Sequence, residues 1–130
     1  KSLDIKDFDI SFVRGLSLED GCATITNFTA YLIAKGIEHS NGNNSKPIKY
    51  LLCGGGRKNT YLVQTIKNYL SSKKNISLEL IDKYNFNGDY IESQAFGYLA
   101  IRSYLNLPIS YPKTTGCMTP TVGGKIVKNY

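Results

Sequence analysis

Apolar positions recur at helical spacing in three stretches of the chain and form short continuous runs in two others. Leu18, Cys22, Ile25, Thr29 and Leu32, with Phe28 beside them, mark one core-facing side of a first helix. Ser17 opens it, with Asp20 three residues on as a capping box, and Gly36 is the expected stop. Gly21 inside it costs about 1 kcal/mol relative to alanine. His39 to Lys46 is polar and rich in Asn, Gly and Ser, which predicts a surface loop ending at Pro47. Ile48 to Leu52 predicts a strand that runs into Cys53 and three glycines, Gly54, Gly55 and Gly56. A second helix follows, with Leu62, Ile66, Tyr69 and Leu70 on one side and Asn59 as its N-cap. Ser71 to Asn75 predicts a turn, Ile76 to Ile81 a second strand, and Asn85-Phe86-Asn87-Gly88 another turn. A third helix is predicted from Asp89 to about Leu105, burying Ile91, Ala95, Phe96, Leu99 and Ala100 and ended by Pro108 and Pro112. Before Leu16 the pattern is least legible; Phe8 to Val13 alternates weakly, as a strand would.

The order helix–strand–helix–strand–helix predicts an α/β fold with two parallel strands joined through a helix. Two parallel strands are marginal alone and need both faces covered. Either the N-terminal stretch adds a strand or further strands belong to sequence outside this chain, and the second is favoured. The start at Lys1-Ser2-Leu3-Asp4, with no initiator methionine, is expected to be a cut, natural or engineered. A sheet edge and an apolar face left open in this way predict self-association, with a homodimer expected.

At 130 residues the chain is at most one domain, and no apolar run approaches the ~20 residues a bilayer crossing needs. The net charge of +6 raises nucleic acid as a partner. Thirteen of the sixteen basic residues are scattered lysines and only three are arginines, which argues against it. No membrane partner is expected. Cys22, Cys53 and Cys117 form no CxxC pair, so free thiols in a reducing cytoplasm are expected, and no zinc site. The single histidine, His39, has no evident metal partners, and no metal ligands are assigned.

The glycine triplet carries the clearest chemistry. Without Cβ atoms a ligand can approach the backbone closely, and the start of the following helix suits an anionic or polar group. Asn59 stands where a dinucleotide fingerprint needs glycine, and Gly54-Gly55-Gly56-Arg57-Lys58-Asn59-Thr60 does not fit a Walker loop. A plain strand-to-helix turn capped by Asn59 explains the stretch equally well. The second informative stretch is Gly88-Asp89-Tyr90-Ile91-Glu92. Asp89 as N-cap and Glu92 at the third helical position is the simplest reading; a carboxylate accepting hydrogen bonds from a sugar is the functional one.

Together, Leu52 to Asn59 and Gly88 to Ala100 resemble the C-terminal part of the anhydro-N-acetylmuramic acid kinases. The resemblance extends through Ala23 to Ala30, Thr115-Gly116-Cys117 and Val122-Gly123-Gly124, nearly the whole chain from Leu16 onward. It implies membership of the actin, heat-shock ATPase and sugar-kinase superfamily and a partial ribonuclease-H-like domain whose initial three strands are missing or supplied elsewhere. It implies that Gly54, Gly55 and Gly56 wall the nucleoside with Asn59 nearby, and that Glu92, with Asp89 supporting the helix entry, lines the sugar. The family uses ATP and Mg²⁺ to open the 1,6-anhydro ring with water and phosphorylate the 6-oxygen, giving N-acetylmuramate 6-phosphate in cell-wall recycling. Ser93-Gln94 and Cys117 depart from the family's usual pattern.

No Gly/Ser/Thr-rich phosphate loop occurs in this sequence. The general base is therefore expected in the missing N-terminal half of the kinase, which would be this chain's partner alongside anhydro-N-acetylmuramic acid. No catalytic residue is assigned here; Arg57 and Lys58 are candidates for γ-phosphate donors by charge alone, and solvated surface residues are the favoured reading of both. Two other readings stay open. One is a split or degraded remnant acting as a binding or assembly module. The other is an independent Rossmann-like nucleotide binder with Asp82 as the ribose acid.

Overall fold

The computed structural model describes residues 7–127. Its elements are α1 (Leu18–Asn41), β1 (Ile48–Leu52), α2 (Thr60–Leu70), β2 (Ile76–Leu80), α3 (Ile91–Tyr104) and the single-turn α4 (Pro112–Thr115). Short 3₁₀ turns lie at Ser11–Val13, Gly55–Lys58 and Ile81–Tyr84. The strands pair in parallel, Ile48 opposite Ile76 through Leu52 opposite Leu80. This is the α/β order and direction expected. Among the described residues the sheet has only these two strands, and no helix is long and apolar enough to cross a membrane.

The caps explain where the helices begin. The Ser17 hydroxyl accepts the Asp20 N–H at 3.0 Å and donates to the Asp20 carboxylate at 2.9 Å. Asn59 caps α2, its Oδ1 accepting the Leu62 N–H at 3.0 Å. Gly36 does not end α1. The helix passes through it to Asn41, so the polar loop begins at Gly42, whose φ of +53° favours glycine.

The core lies between α1, α2 and one side of the sheet. Ala30, Ala34 and Ile37 of α1 meet Ile66 and Leu70 of α2 and Leu78 of β2, with Ile33, Tyr50, Leu52, Leu62 and Ile76 packed around them. The side of α1 that enters is therefore not the expected one. Leu18 is 79% exposed and Cys22 is exposed. Ile25, Phe28, Thr29 and Leu32 line an open apolar groove of about 660 Å³ with Phe8, Ile10 and Ile33. A 24-residue helix with apolar residues on two sides can bury either, and the small alanines let α2 come close. The Phe8–Val13 stretch is not a strand; it turns at Ser11–Val13 and sets Phe8 and Phe12 edge-on to Phe28, ring centres 6.3 and 5.3 Å away.

The third helix departs from expectation as well. It starts at Ile91 rather than Asp89, ends at Tyr104, and buries none of its residues. Ile91 and Leu99 are half-buried, while Ala95, Phe96 and Ala100 are exposed. Pro112 opens α4 instead of ending α3.

These two sides of α1 and α2 should respond differently to substitution. Ile66→Ala, at a position 1% exposed, is expected to lower unfolding free energy by about 2–4 kcal/mol in denaturant titrations. Leu18→Ser should stay within about 0.5 kcal/mol of the parent. Equal losses would place the core on the other side of α1.

Candidate functional site

Both informative stretches sit at the carboxyl ends of the parallel strands. β1 ends into Cys53 and the glycine corner, while β2 ends into the Ile81–Tyr84 turn that leads to Gly88 and Asp89. Loops leaving that edge of a parallel sheet are where α/β proteins place ligands.

Gly54 has a φ of +79°, a backbone region that L side chains rarely adopt. Its N–H donates to the Gly88 carbonyl at 2.8 Å, so the corner is tied to the segment before α3. Gly55 and Gly56 differ from it. Neither has a positive φ; a Cβ on Gly55 would meet nothing within 4 Å, and one on Gly56 would make an ordinary 3.7 Å contact with Leu62. Nothing among the described residues requires glycine at these two positions.

Arg57 is not a solvated surface residue. Its side chain is 6% exposed, and four of its five N–H donors are engaged. Nε and Nη2 form a two-pronged pair with Asp82, at 2.7 Å to Oδ2 and 2.9 Å to Oδ1. Nη1 donates to the Gly54 carbonyl at 3.0 Å and to Asp89 Oδ1 at 2.6 Å. Lys58, more exposed, donates to Asp89 Oδ2 at 2.8 Å. Gly88 is glycine because of this guanidinium: a Cβ there would stand 2.6 Å from Arg57 Cζ.

The electrostatics follow from these contacts. The Arg57 fork draws the Asp82 carboxyl from its ordinary 3.8 down to about 2. Asp89 is lowered too, by Arg57 first and Lys58 second. Arg57 is raised by Asp82 and then Asp89. Both aspartates are thereby held as anions.

Asp89 therefore does not cap α3. Tyr90 occupies the N-cap with no side-chain bond, and the Asp89 carboxylate turns to Arg57 and Lys58. Glu92 lies exposed in the first turn of α3, and among the described residues its carboxylate makes no hydrogen bond or ion pair. Asn59 lies beside the glycines, its carbonyl oxygen used by the α2 cap. Asp82, the ribose acid of the Rossmann-like reading, has both oxygens on Arg57 and so ties the end of β2 to the glycine corner. The structure thus joins Gly54, Asp89 and the unforeseen Arg57, Asp82 and Gly88. Among the described residues no group of three His, Cys, Asp or Glu side chains could hold a metal ion. The thiols of Cys22, Cys53 and Cys117 are unpaired.

The family model described as anhydro-N-acetylmuramic acid kinase matches residues 6–129. The anhydro-N-acetylmuramic acid kinase of Pelagibacter ubique is 52% identical over 130 residues, covering 99% of this chain and 34% of that protein. Those of Zymomonas mobilis and Caulobacter vibrioides are 40% and 41% identical, covering 97% and 98% of this chain and 33% and 32% of theirs. The chain spans about a third of the length of the curated relatives it matches.

The Asp82–Arg57 pair has a pH signature. Because the folded carboxyl titrates near 2 instead of 3.8, its contribution to stability is present above 3.8 and is lost as pH falls through about 2. The stability difference between the parent and Asp82→Asn should therefore shrink between roughly pH 4 and pH 2 in acid unfolding curves. A difference independent of pH over that range would mean the pair is not formed in solution.

Proposed function

The chain belongs to the anhydro-N-acetylmuramic acid kinase family, and we propose that it forms the C-terminal portion of a two-domain, ATP-dependent sugar kinase. In this reading the chain is one part of a ribonuclease-H-like domain whose remaining strands lie elsewhere in the protein. The exposed second strand edge and the apolar groove on α1 support it, since both are surfaces a larger sheet would cover. The partner is the remaining part of the kinase, a homodimer is the assembly, and the cytoplasm, where ATP is at hand, is the location.

The nucleoside of ATP lies against Gly54, Gly55 and Gly56 with Asn59 close by. The observation that carries this is Gly55, a glycine with no conformational need and open space where its Cβ would stand. A surface left bare in that way fits close approach of a ligand to the backbone. Glu92, with no hydrogen bond or ion pair among the described residues, faces the carbohydrate, and Asp89, charged and fixed by Arg57, stands beside it. An ionised carboxylate accepting from sugar hydroxyls or an amide forms the stronger kind of hydrogen bond.

The chemistry of the whole protein is then attack of water on the 1,6-anhydro bond with phosphorylation of the 6-oxygen, yielding N-acetylmuramate 6-phosphate in peptidoglycan recycling. This chain binds and orients; it does not supply the base. A general base works best with a pKa near the operating pH, and Asp82, near 2, is far below it. Mg²⁺ accompanying ATP would take its protein ligands outside the described residues, which hold no candidate metal cluster. The 130-residue chain alone is expected to show no kinase activity.

Gly55→Ala should separate fold from function. By stiffening the unfolded chain it should leave stability unchanged or raise it by about 0.4–1 kcal/mol. Binding of a non-hydrolysable ATP analogue by the full-length kinase should weaken about tenfold or more, the effect of a misplaced ligand. Unchanged nucleotide affinity would remove the glycine corner from the site.

A further inference from the structure

Residues 91–127 are joined to the body of the chain in one place. Among the described residues, no hydrogen bond, ion pair or ring contact links them directly to residues 8–80. Their own bonds are internal: Arg102 donates to the Pro108 carbonyl at 2.7 Å and to Tyr111 at 2.8 Å, and Ile109 pairs with Thr121 at 3.0 Å. The ties to the body run through residues 81–90. These are Lys49 and Glu79 with Tyr84, Glu79 with Lys83, Gly54 with Gly88, Arg57 with Asp82 and Asp89, and Lys58 with Asp89.

Arg57 is the centre of that junction. One guanidinium holds the carbonyl of Gly54, the end of β2 through Asp82, and the entry of α3 through Asp89. Gly54 is fastened at both backbone groups, its N–H to Gly88 and its C=O to Arg57. Movement of the glycine corner therefore carries the segment from Gly88 to Glu92 with it. A lysine could not replace this arrangement, because a single ammonium lacks the planar fork that meets both oxygens of Asp82 while reaching two further acceptors.

We propose that Arg57 is a positioning residue that makes the glycine corner and the Asp89–Glu92 helix entry one rigid unit, so that nucleotide seated on the glycines tightens carbohydrate binding at Glu92. This rests on the assignment of Gly54–Gly56 to the nucleotide and of Glu92 to the sugar. Arg57 touches neither ligand. It acts through Gly54 on one side and Asp89 on the other, and the coupling is reciprocal, each ligand favouring the other by the same factor.

The test is sugar affinity measured by calorimetry in the full-length kinase, with and without a saturating non-hydrolysable ATP analogue. The parent should bind anhydro-N-acetylmuramic acid about tenfold more tightly when the analogue is present, within the usual range of coupling between sites. In Arg57→Lys that ratio should fall to about one, with both ligands still bound singly. Asp82→Asn preserves side-chain volume and loosens only the fork, so it serves where Arg57→Lys does not fold, and it should reduce the ratio as well. A merely structural Arg57 would lower the melting temperature and leave the ratio intact. A ratio near one in the parent, or a parent-like ratio in both variants, overturns the proposal. Failure of the parent to bind either ligand alone overturns the underlying site assignment instead, and the proposal with it.

Discussion

The guanidinium of Arg57, withdrawn from water and engaged by four acceptors, is the constraint on which the geometry of the strand ends depends. A buried cation is tolerated only where its charge and donors are matched. Two carboxylates and a backbone carbonyl supply the match, and each comes from a different segment: the glycine corner, the end of β2 and the approach to α3. Satisfying one side chain thereby fixes three loops relative to one another. Gly88 takes part by having no side chain, which gives the guanidinium its space.

That arrangement explains why two motifs some thirty residues apart in the chain belong together. The Gly54-to-Asn59 stretch and the Gly88-to-Glu92 stretch share a hydrogen bond between backbones and a salt link between side chains. Asp89 and Asp82 have their carboxyl pKa values lowered by their cationic neighbours, so both are held as anions that brace the junction. Among the described residues Glu92 is left without a hydrogen bond or ion pair on the exposed turn that follows Asp89, and the bare glycines lie on the other side of the Arg57 link.

Much of this was legible in the residues, and the failures have physical causes. Ser17 and Asn59 announced their helices because capping is local chemistry, and the strands on either side of α2 had to run parallel. The pattern does not single out the buried side of α1, because the helix carries two apolar sides. Ala30, Ala34 and Ile37 are less conspicuous than Leu18, Ile25 and Leu32, and only the position of α2 decides between them. Gly36 looked like a stop, yet nothing stands near its missing Cβ and the helix simply continues. Asp89 looked like a cap because Asp before a helix usually is one, but an arginine 32 positions away offered a stronger bond. Arg57, by its charge alone, suggests a solvated residue. An arginine directly after a glycine corner, with Asp82 and Gly88-Asp89 following the next strand, was the available signal, and it needed the parallel pairing of β1 and β2 to become meaningful.

Amide hydrogen exchange on the chain examines the clamp without relying on any ligand. The amides of Gly54, bonded to the Gly88 carbonyl, and of Gln94, bonded to the Tyr90 carbonyl in the first turn of α3, should both be protected in the parent. In Arg57→Lys the two should lose protection together, while the Ile66 amide in the buried part of α2 keeps its own. Protection of Gly54 that survives the substitution, or that is lost while Gln94 is unaffected, would show that Arg57 does not hold the glycine corner and the helix entry as one unit.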